Sequence, residues 1–424
     1  MVGVVGASAR AAVHSLARAG WTAWAVDLFA DRDLTRMADC IRCPFEHYPE
    51  ALPQLACSRP ATQILYTGGL ENAPDVLQSL SEHHALAATP PEVLRRVRDP
   101  FALQTLVADV GLMMPRLVSR GEACPVHGRW LRKPFRSCGG RGIRWANPQE
   151  PASASYYFQE FHDGQPLSAV FVNDTLWGVT EQLIGWPPLH AKPFVYCGTI
   201  GPLPQPLSHH KLLSKKDLDH LSTSNRLLEE PWAGLERLGQ RLAAVGVCGV
   251  WGADLLQVDG TLYVLEINPR YTASVEVLEH AYQRAIFSPP GYEPSFSPPG
   301  HEPSAPLGNR PAPTPVAGNS SPFEASSSIS PDNRSTPTPV IGKAIYYAPH
   351  TLIFPEHGPW DADLSGDFDP WRCPQFADIP DAGSRIDAGH PVVSFFVREN
   401  SPAKVREQLQ SQAVQLDQLF RNYP

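Results

Sequence analysis

The sequence feature that most constrains this chain is a pair of apolar strands interrupted by acidic residues. The segment GVWGADLLQVDGTLYVLEINPR at 249–270 predicts a hairpin, because Asp259-Gly260 is a typical two-residue hairpin turn. Asp254 lies on the first arm of the hairpin. Glu266 and Asn268 lie on the second arm, two residues apart and therefore on one face. A carboxylate within such an apolar strand needs a partner.

The register of this hairpin decides whether the acidic groups meet. A two-residue loop pairs Val258 with Thr261, and hence Asp254 with Leu265, which puts the two carboxylates on opposite faces. A three-residue or bulged loop places Asp254 opposite Glu266 instead. In that register the three oxygen-bearing side chains converge and suit a hard cation such as Mg²⁺. A solvated acidic hairpin is the competing interpretation.

A second motif combines a lysine with glycines. In LRKPFRSCGGRGIRW, Lys133 ends an apolar stretch, and a loop with Gly139, Gly140 and Gly142 follows. Glycines let backbone N–H groups approach an anion closely and the lysine supplies positive charge, so a nucleotide phosphate is the expected ligand. The lysine precedes the glycines, which excludes the Walker spacing. Ordinary hairpins also contain glycine pairs, so this motif does not stand alone.

The first 95 residues alternate between strand and helix patterns. Short apolar runs begin at Val2 and Gln63, and another ends at Asp27, which predicts a small parallel sheet of the Rossmann type. Such a domain suggests a dinucleotide site, with Gly3 and Gly6 at the phosphates and Asp27 at a ribose. The spacing GxxGxSxR differs from GxGxxG, so this dehydrogenase hypothesis is the less favoured one.

The composition changes sharply at Ser288. Between Ser288 and Pro339, 29 of 52 residues are Pro, Ser or Gly, and SPPGYEPS is followed by the near-duplicate SPPGHEPS. Such a segment has too little apolar surface to offset the entropy of ordering, so we predict a disordered surface insertion. Apolar strand patterns resume at GKAIYYAPHTLIF from Gly342, and a final helix is expected from Pro402 to Phe420.

Charge and cysteine content exclude several classes of protein. The chain has 35 Lys and Arg against 43 Asp and Glu, a net charge of −8, which argues against a general nucleic-acid or anionic-membrane binder. It has no apolar run of membrane-spanning length and no secretory signal pattern, so a cytoplasmic location is expected. The eight cysteines are too sparse for a disulfide scaffold. The CxxC of Cys40 and Cys43 lacks a second ligand pair for zinc.

Taken in order, these motifs resemble the ATP-grasp superfamily of carboxylate ligases, near its biotin-carboxylase-like branch. The resemblance rests on Lys133 before GGRG, the segment QEF at 159–161, Asp254 and the terminal LEINPR. It implies an α/β Rossmann-like N-terminal domain followed by a two-lobed α+β ATP-grasp fold. The corresponding divisions are 1–95 for the first domain, 96–287 for the central lobes, 288–341 for the insertion, and 342–424 for the closing part of the C-terminal lobe.

The resemblance also implies roles for individual residues. Lys133 would contact the α and β phosphates of ATP, and the loop of Gly139, Gly140 and Gly142 would close over the β and γ phosphates. Gln159, Glu160 and Phe161 would form the adenine hinge, with Glu160 or Asp163 reaching amino or ribose groups. Asp254, Glu266 and Asn268 match the Mg²⁺ ligands, with Mn²⁺ as a substitute, and Arg270 would be the catalytic residue facing the transferred phosphate. The stretch VRDPFAL lacks the family's usual lysine, and Arg98 is the candidate replacement.

The expected reaction is the ATP-dependent activation of a small carboxylate as an acyl phosphate, followed by its joining to an amine or another nucleophile, with release of ADP and phosphate. A non-catalytic ATP-binding regulatory protein is the alternative. The carboxylate and its acceptor are not identified by the sequence, although a step linked to tetrahydromethanopterin is one hypothesis. Expected partners are small molecules, with no nucleic acid and no membrane, and a homodimer is the candidate assembly.

The composition of the insertion generates a first prediction. Deleting residues Pro289 to Thr338 should change the melting temperature by only a few degrees and leave ATP turnover nearly unaltered, because long surface loops contribute little to stability. Thermal melting and an ADP-release assay on the full-length and shortened chains test this. Loss of soluble expression, or a tenfold fall in turnover, would show that the segment is structural.

Overall fold

The computed structural model describes residues 1–204, 223–289, 338–421 and 423. Residues 290–337, which make up most of the predicted insertion, therefore lie outside the described residues, and its expected disorder stays a prediction. Within the described part of the chain, no helix combines the length and hydrophobicity needed to span a membrane.

The N-terminal part forms a four-stranded parallel sheet, with strand order β3-β2-β1-β4. The strands are β1 (Val2–Gly6), β2 (Ala23–Asp27), β3 (Asp39–Arg42) and β4 (Gln63–Tyr66), and the helices are α1 (Arg10–Arg18), α2 (Arg32–Thr35), α3 (Leu52–Cys57) and α4 (Pro74–Ser81). Every residue of β1 is buried, which explains its uninterrupted run of apolar and glycine residues. The carboxyl ends of β1 and β4 face the cavity described below.

Two helices lead from this sheet to a small antiparallel sheet of order β6-β5-β7. The helices are α5 (Pro91–Val97) and α6 (Pro100–Ala108), and the strands are β5 (Trp130–Pro134), β6 (Arg144–Trp145) and β7 (Tyr156–Glu160). Asp99 caps α6, because its side chain accepts hydrogen bonds from the N–H groups of Phe101 and Ala102. Lys133 and the glycine loop belong to this small sheet and to the connection between β5 and β6.

The largest element is an eight-stranded antiparallel sheet of order β12-β11-β8-β9-β10-β13-β17-β15. Its strands are β8 (Gln165–Val172), β9 (Thr175–Ile184), β10 (Tyr196–Gly201), β11 (Val250–Val258), β12 (Thr261–Asn268), β13 (Val340–Tyr347), β15 (Phe376–Ala377) and β17 (Pro391–Glu399). A separate pair is formed by β14 (Leu352–Ile353) and β16 (Arg385–Ile386). The remaining helices are α7 (Thr223–Ala244), α8 (Ala273–Tyr282), α9 (Asp361–Leu364) and α10 (Pro402–Phe420). Because β13 pairs with β10, the chain on either side of residues 290–337 belongs to one sheet.

A buried ionic network joins the N-terminal sheet to the large sheet. The fully buried guanidinium of Arg10, on α1, donates to both carboxylate oxygens of Glu276 on α8, at 2.5 and 2.9 Å, and to Asp378 at 2.8 Å. Lys343 on β13 lies 2.9 Å from the same Glu276 carboxylate. Because these charged side chains are buried away from water, each needs an oppositely charged neighbour.

We therefore predict that Arg10→Leu lowers the free energy of unfolding by about 3 to 5 kcal/mol, because it leaves buried carboxylates without their cation. The control is Arg95→Leu, which removes the exposed pair between Arg95 and Asp75 and should cost less than about 1 kcal/mol. Urea denaturation of both variants measures the difference. Equal effects would mean that the network around Arg10 contributes no more than a surface pair.

Candidate active site

The hairpin of β11 and β12 brings the acidic residues together through a β-bulge. Val258 pairs with Thr261 across a two-residue turn, which by itself would separate the carboxylates. The register shifts between Asp254 and Leu255, however, so that Leu255 pairs with Val264 and Asp254 pairs with Glu266. The hairpin thus has the two-residue turn of one predicted alternative and a bulge as in the other. As a result, the two carboxylates lie on the same face.

The two carboxylates are held by amides. Asp254 accepts hydrogen bonds from Gln182 Nε2 at 2.8 Å and from Asn268 Nδ2 at 3.0 Å. Burial and the neighbouring carboxylate of Glu266 raise the pKa of Asp254 to about 7. Burial alone would also raise the pKa of Glu266, but the positive charges of Arg98 and Lys133 lower it to about 2. Of the two carboxylates, Asp254 is therefore the one that binds a proton more readily, because the nearby cations keep Glu266 ionised.

Lys133 and Gln159 lie on neighbouring strands of the small sheet and face the same cavity. Lys133 is 7% exposed, and its Nζ donates to Gln159 Oε1 at 3.1 Å. The Nε2 atom of Gln159 is buried and has no hydrogen-bond partner among the described residues. An unpartnered buried donor beside a lysine suits a ligand with acceptor atoms.

The glycine loop is packed against the approach to β10. Gly139, Gly140 and Gly142 all have positive φ angles, of 62, 77 and 78°. A methyl group at Gly140 would lie 1.8 Å from the carbonyl oxygen of Phe194, so this position requires glycine. The N–H of Tyr196 donates to the carbonyl oxygen of Gly139 at 3.1 Å. Gly139 and Gly140 line the cavity, whereas Gly142 packs against Pro134 and is not among its described lining residues.

The predicted adenine hinge forms one rim of the cavity. Glu160, Phe161 and Asp163 all line it. The two carboxylates of this rim are paired with arginines: Asp163 lies 2.5 Å from Arg129, and Glu160 lies 3.7 Å from Arg116. The guanidinium of Arg129 also lies 4.2 Å from the centre of the Phe161 ring. The backbone N–H groups of Glu160 and Phe161 donate to carbonyl groups of the protein.

Most of these groups line a single cavity of about 780 Å³. Of the residues proposed from the sequence for ATP, metal and catalysis, all but Gly142 and Arg98 line it, including Asp254, Glu266 and Asn268. Among the described residues, no cluster of three His, Cys, Asp or Glu side chains is placed to hold a metal. The hairpin offers two carboxylates and one amide oxygen, a set that suits a cation completing its shell with substrate oxygens.

The structure places Arg98 differently from the expected role as a replacement lysine. Its Nη1 lies 3.5 Å from Glu266 Oε2 and donates to the carbonyl oxygen of Ile267 at 3.1 Å. It is not among the described residues that line the large cavity. Arg98 thus pairs with Glu266 and binds backbone oxygens, so it stabilises the acidic pair without lining the cavity.

Several residues of the site were not predicted from the sequence. Gln182 holds Asp254, Lys343 and Asp378 line the cavity near α8, and Glu71 binds Arg270 through Nε at 3.0 Å and Nη2 at 2.8 Å. A signal for Glu71 was present, since the segment TGGLEN follows β4, and ligands of parallel sheets bind at the carboxyl ends of strands.

The residues of the dinucleotide hypothesis have packing roles. A side chain at Gly3 would lie 2.5 Å from Trp24. The carboxylate of Asp27 accepts hydrogen bonds from the N–H groups of Ala9, Phe29 and Ala30. Because both oxygens of Asp27 are engaged, this residue is not free to bind a ribose. Cys40 and Cys43 are both free thiols.

Comparison with known proteins agrees with this geometry. Residues 97–217 match the sequence family described as the ATP-grasp domain. The fold is similar to that of L-amino acid ligase from Bacillus licheniformis, with 13% identity, a TM-score of 0.59, and coverage of 98% of this chain and 96% of that one. It is also similar to N5-carboxyaminoimidazole ribonucleotide synthetase from Thermus thermophilus, with 14% identity, a TM-score of 0.54, and coverage of 96% of both chains.

A third similar structure is the biotin carboxylase domain dimer of Hydrogenobacter thermophilus 2-oxoglutarate carboxylase, in complex with MgADP, ADP and bicarbonate. It shares 12% identity with a TM-score of 0.57, covering 94% of this chain and 86% of that one. No curated protein matches the chain. The chain therefore carries an ATP-grasp domain over residues 97–217, and over nearly its whole length its fold is similar to that of these solved structures.

The close approach at Gly140 generates a prediction. Gly140→Ala should weaken nucleotide binding about tenfold or more, because the displaced loop loses at least one charge-assisted contact worth about 1.5 to 3 kcal/mol. Gly139→Ala is the matched control, since it carries the same strain of a positive φ but meets no atom within 4 Å. Calorimetric titration with ADP and Mg²⁺ compares the two, and an equal loss of affinity would show that the contact with Phe194 is irrelevant.

Proposed function

We propose that this protein is an ATP-dependent ligase that activates a carboxylate as an acyl phosphate and joins it to an amine or another nucleophile. The observation that carries the proposal is the convergence of Asp254, Glu266, Asn268 and Arg270 on the cavity that also contains Lys133. Cations that bind phosphates and carboxylates that bind a metal are the two components that phosphoryl transfer requires.

ATP would occupy the part of the cavity between the small sheet of β5, β6 and β7 and the eight-stranded sheet. Its phosphates would contact Lys133 and the backbone of Gly139 and Gly140, and its adenine would lie against the rim formed by Gln159, Glu160 and Phe161. The unpartnered Nε2 of Gln159 provides a donor for this ligand. Asp163, exposed and paired with Arg129, lies where a ribose hydroxyl would be accepted.

Mg²⁺ would fit the hairpin because Asp254 and Glu266 lie opposite each other, and because the raised pKa of Asp254 leaves a proton on that carboxyl for part of the time near neutral pH. A cation held by these carboxylates and the amide oxygen of Asn268 would replace that proton and neutralise charge on the phosphates. Mn²⁺ has similar oxygen-ligand preferences and is the expected substitute.

The proposed reaction has two steps. An oxygen of the substrate carboxylate attacks the γ-phosphorus of ATP, and the bond from that phosphorus to ADP breaks. The nucleophile then attacks the acyl carbon, the carbon–oxygen bond breaks, and phosphate leaves while the amine loses a proton. Arg270 faces the transferred group, and the glycine loop excludes water that would hydrolyse the acyl phosphate.

The division into domains is part of the same proposal. The parallel sheet within 1–95 supports a Rossmann-like domain that contributes to the substrate end of the cavity, through residues such as Ser8 and Thr67. Residues 96–287 would provide the ATP-grasp lobes, and 342–424 would complete the second lobe through β13 and β17. The insertion is assigned to 288–341 by composition alone.

A non-catalytic ATP-binding protein is the alternative function. It would bind MgATP with the same residues but release no ADP. Incubation of the purified protein with MgATP and a panel of carboxylate and amine pairs separates the two. ADP release that depends on both a carboxylate and an acceptor supports the ligase, whereas ATP binding without turnover over a broad panel supports the alternative.

The residue-level test is Glu266→Gln, which keeps the shape of the side chain but removes one charge from the metal site. Stabilisation by the metal grows as negative charge shifts in the transition state, so kcat should fall on the order of 100-fold while ATP affinity changes much less. Glu181→Gln is the control, because Glu181 pairs with Arg406 and is not among the described cavity-lining residues. Unchanged kcat in Glu266→Gln would make this carboxylate a structural residue.

A further inference from the structure

Glu71 is a buried carboxylate in the N-terminal part of the chain. It lies in the 3₁₀ turn Leu70–Asn72, which follows β4 after three intervening residues, and is 2% exposed. Its two oxygens have different partners. Oε2 accepts a hydrogen bond from the N–H of Gly69 at 2.6 Å, and Oε1 accepts from Nε and Nη2 of Arg270 at 3.0 and 2.8 Å. The backbone therefore orients the carboxylate, and the carboxylate orients the guanidinium.

On its other side Arg270 lies next to Asn268, which connects it to the acidic pair. Its Nη2 lies 3.4 Å from Asn268 Oδ1, and Asn268 Nδ2 lies 3.0 Å from the Asp254 carboxylate and 3.5 Å from that of Glu266. A guanidinium without a counter-charge on the N-terminal side would be drawn towards these two carboxylates. In that position it would compete with a metal cation.

The same turn also contacts the glycine loop. Asn72 Nδ2 donates to the carbonyl oxygen of Ser137 at 2.9 Å, and Ser137 lies two residues before Gly139, the first glycine of the loop. The buried side chain of Leu70 anchors the turn in the N-terminal core. The turn is thus a fixed element beside the phosphate end of the cavity.

We propose that Glu71 is a positioning residue, which holds Arg270 towards the transferred phosphoryl group and away from the carboxylates that bind the metal. The inference rests on the proposed function, because it assigns Glu71 a role through Arg270 in that reaction. Its specific consequence is that removal of Glu71 impairs both the chemical step and metal binding, while contacts to adenine and to Lys133 are unaffected.

The test begins with Glu71→Gln, measured by steady-state kinetics over a range of Mg²⁺ concentrations. We expect kcat to fall about 10- to 100-fold and the Mg²⁺ concentration for half-maximal rate to rise severalfold, as for other partners that orient ligands of a site. KM for ATP should stay within about twofold, because uniform binding contacts are retained. Calorimetric titration of Mn²⁺ into the ADP-bound protein, which needs no turnover, should show the same weakening of metal binding.

The matched control is Glu279→Gln. Glu279 is also fully buried and paired with an arginine, Arg18, at 2.6 Å, and this pair also joins the N-terminal part to α8. Glu279 is not among the described residues lining the cavity. A merely structural loss should affect both variants alike, whereas a positioning role affects the Mg²⁺ dependence only in Glu71→Gln. Glu71→Asp retains the charge, and should show the same changes in smaller degree if Glu71→Gln does not fold.

A double-mutant cycle completes the test. In an Arg270→Ala background, Glu71→Gln should have no further effect on kcat or on Mn²⁺ affinity, because its effect passes through Arg270. Equal effects with and without Arg270 would overturn the inference. If the wild-type protein is an active ligase and Glu71→Gln keeps its kcat and metal dependence, only the role of Glu71 fails. If the wild-type protein binds MgATP without turnover, the proposed function fails, and the Mn²⁺ titration still decides whether Glu71 positions Arg270.

Discussion

Two carboxylates facing each other across neighbouring strands repel, and in an environment shielded from water this repulsion is large. The pair of Asp254 and Glu266 is therefore the constraint around which the site is organised. Amides from Gln182 and Asn268 bind one carboxylate, and cations lie around the other. Amide donors and nearby cations therefore have to offset this repulsion, and that requirement determines which side chains surround the pair.

The cations around this pair come from distant parts of the chain. Arg98 follows helix α5, Lys133 lies near the end of strand β5, and Arg270 follows strand β12. Each buried cation needs an anion in turn, and the anion for Arg270 is Glu71 in the N-terminal part. Contacts between opposite charges thus connect residues of all three sheets around the cavity. Between α1 and α8, the network of Arg10 and Glu276 repeats the same principle away from the site.

Close backbone packing fixes the position of the glycine loop. The glycine loop contacts the segment before β10 so tightly that Gly140 allows no side chain, and the turn at Asn72 binds the loop from the other side. Gly139 and Gly140 line the cavity, so this packing also fixes the shape of that part of the cavity wall.

Local patterns in the sequence were sufficient for much of this protein. Alternating apolar runs predicted the strands, and the order of Lys133, the glycine loop and LEINPR predicted the ATP-grasp fold and the residues that line its cavity. These features depend on neighbouring residues, which the sequence displays directly. Residue type also predicted the chemistry, since lysine, carboxylate and amide groups have fixed charges and donor atoms.

The tertiary structure decided the features that depend on distant contacts. The bulge at Leu265 brings Asp254 opposite Glu266, although the Asp-Gly turn alone favours the other register. Arg98 was noticed in the sequence, but its commitment to Glu266 required the packing of helix α5 against the hairpin. Glu71 and Arg270 are 199 positions apart, so no local pattern relates them. The sequence by itself determined which chemical groups this protein has, and only the tertiary structure decided which charges neutralise one another, because pairing in a buried site depends on distances across the whole fold.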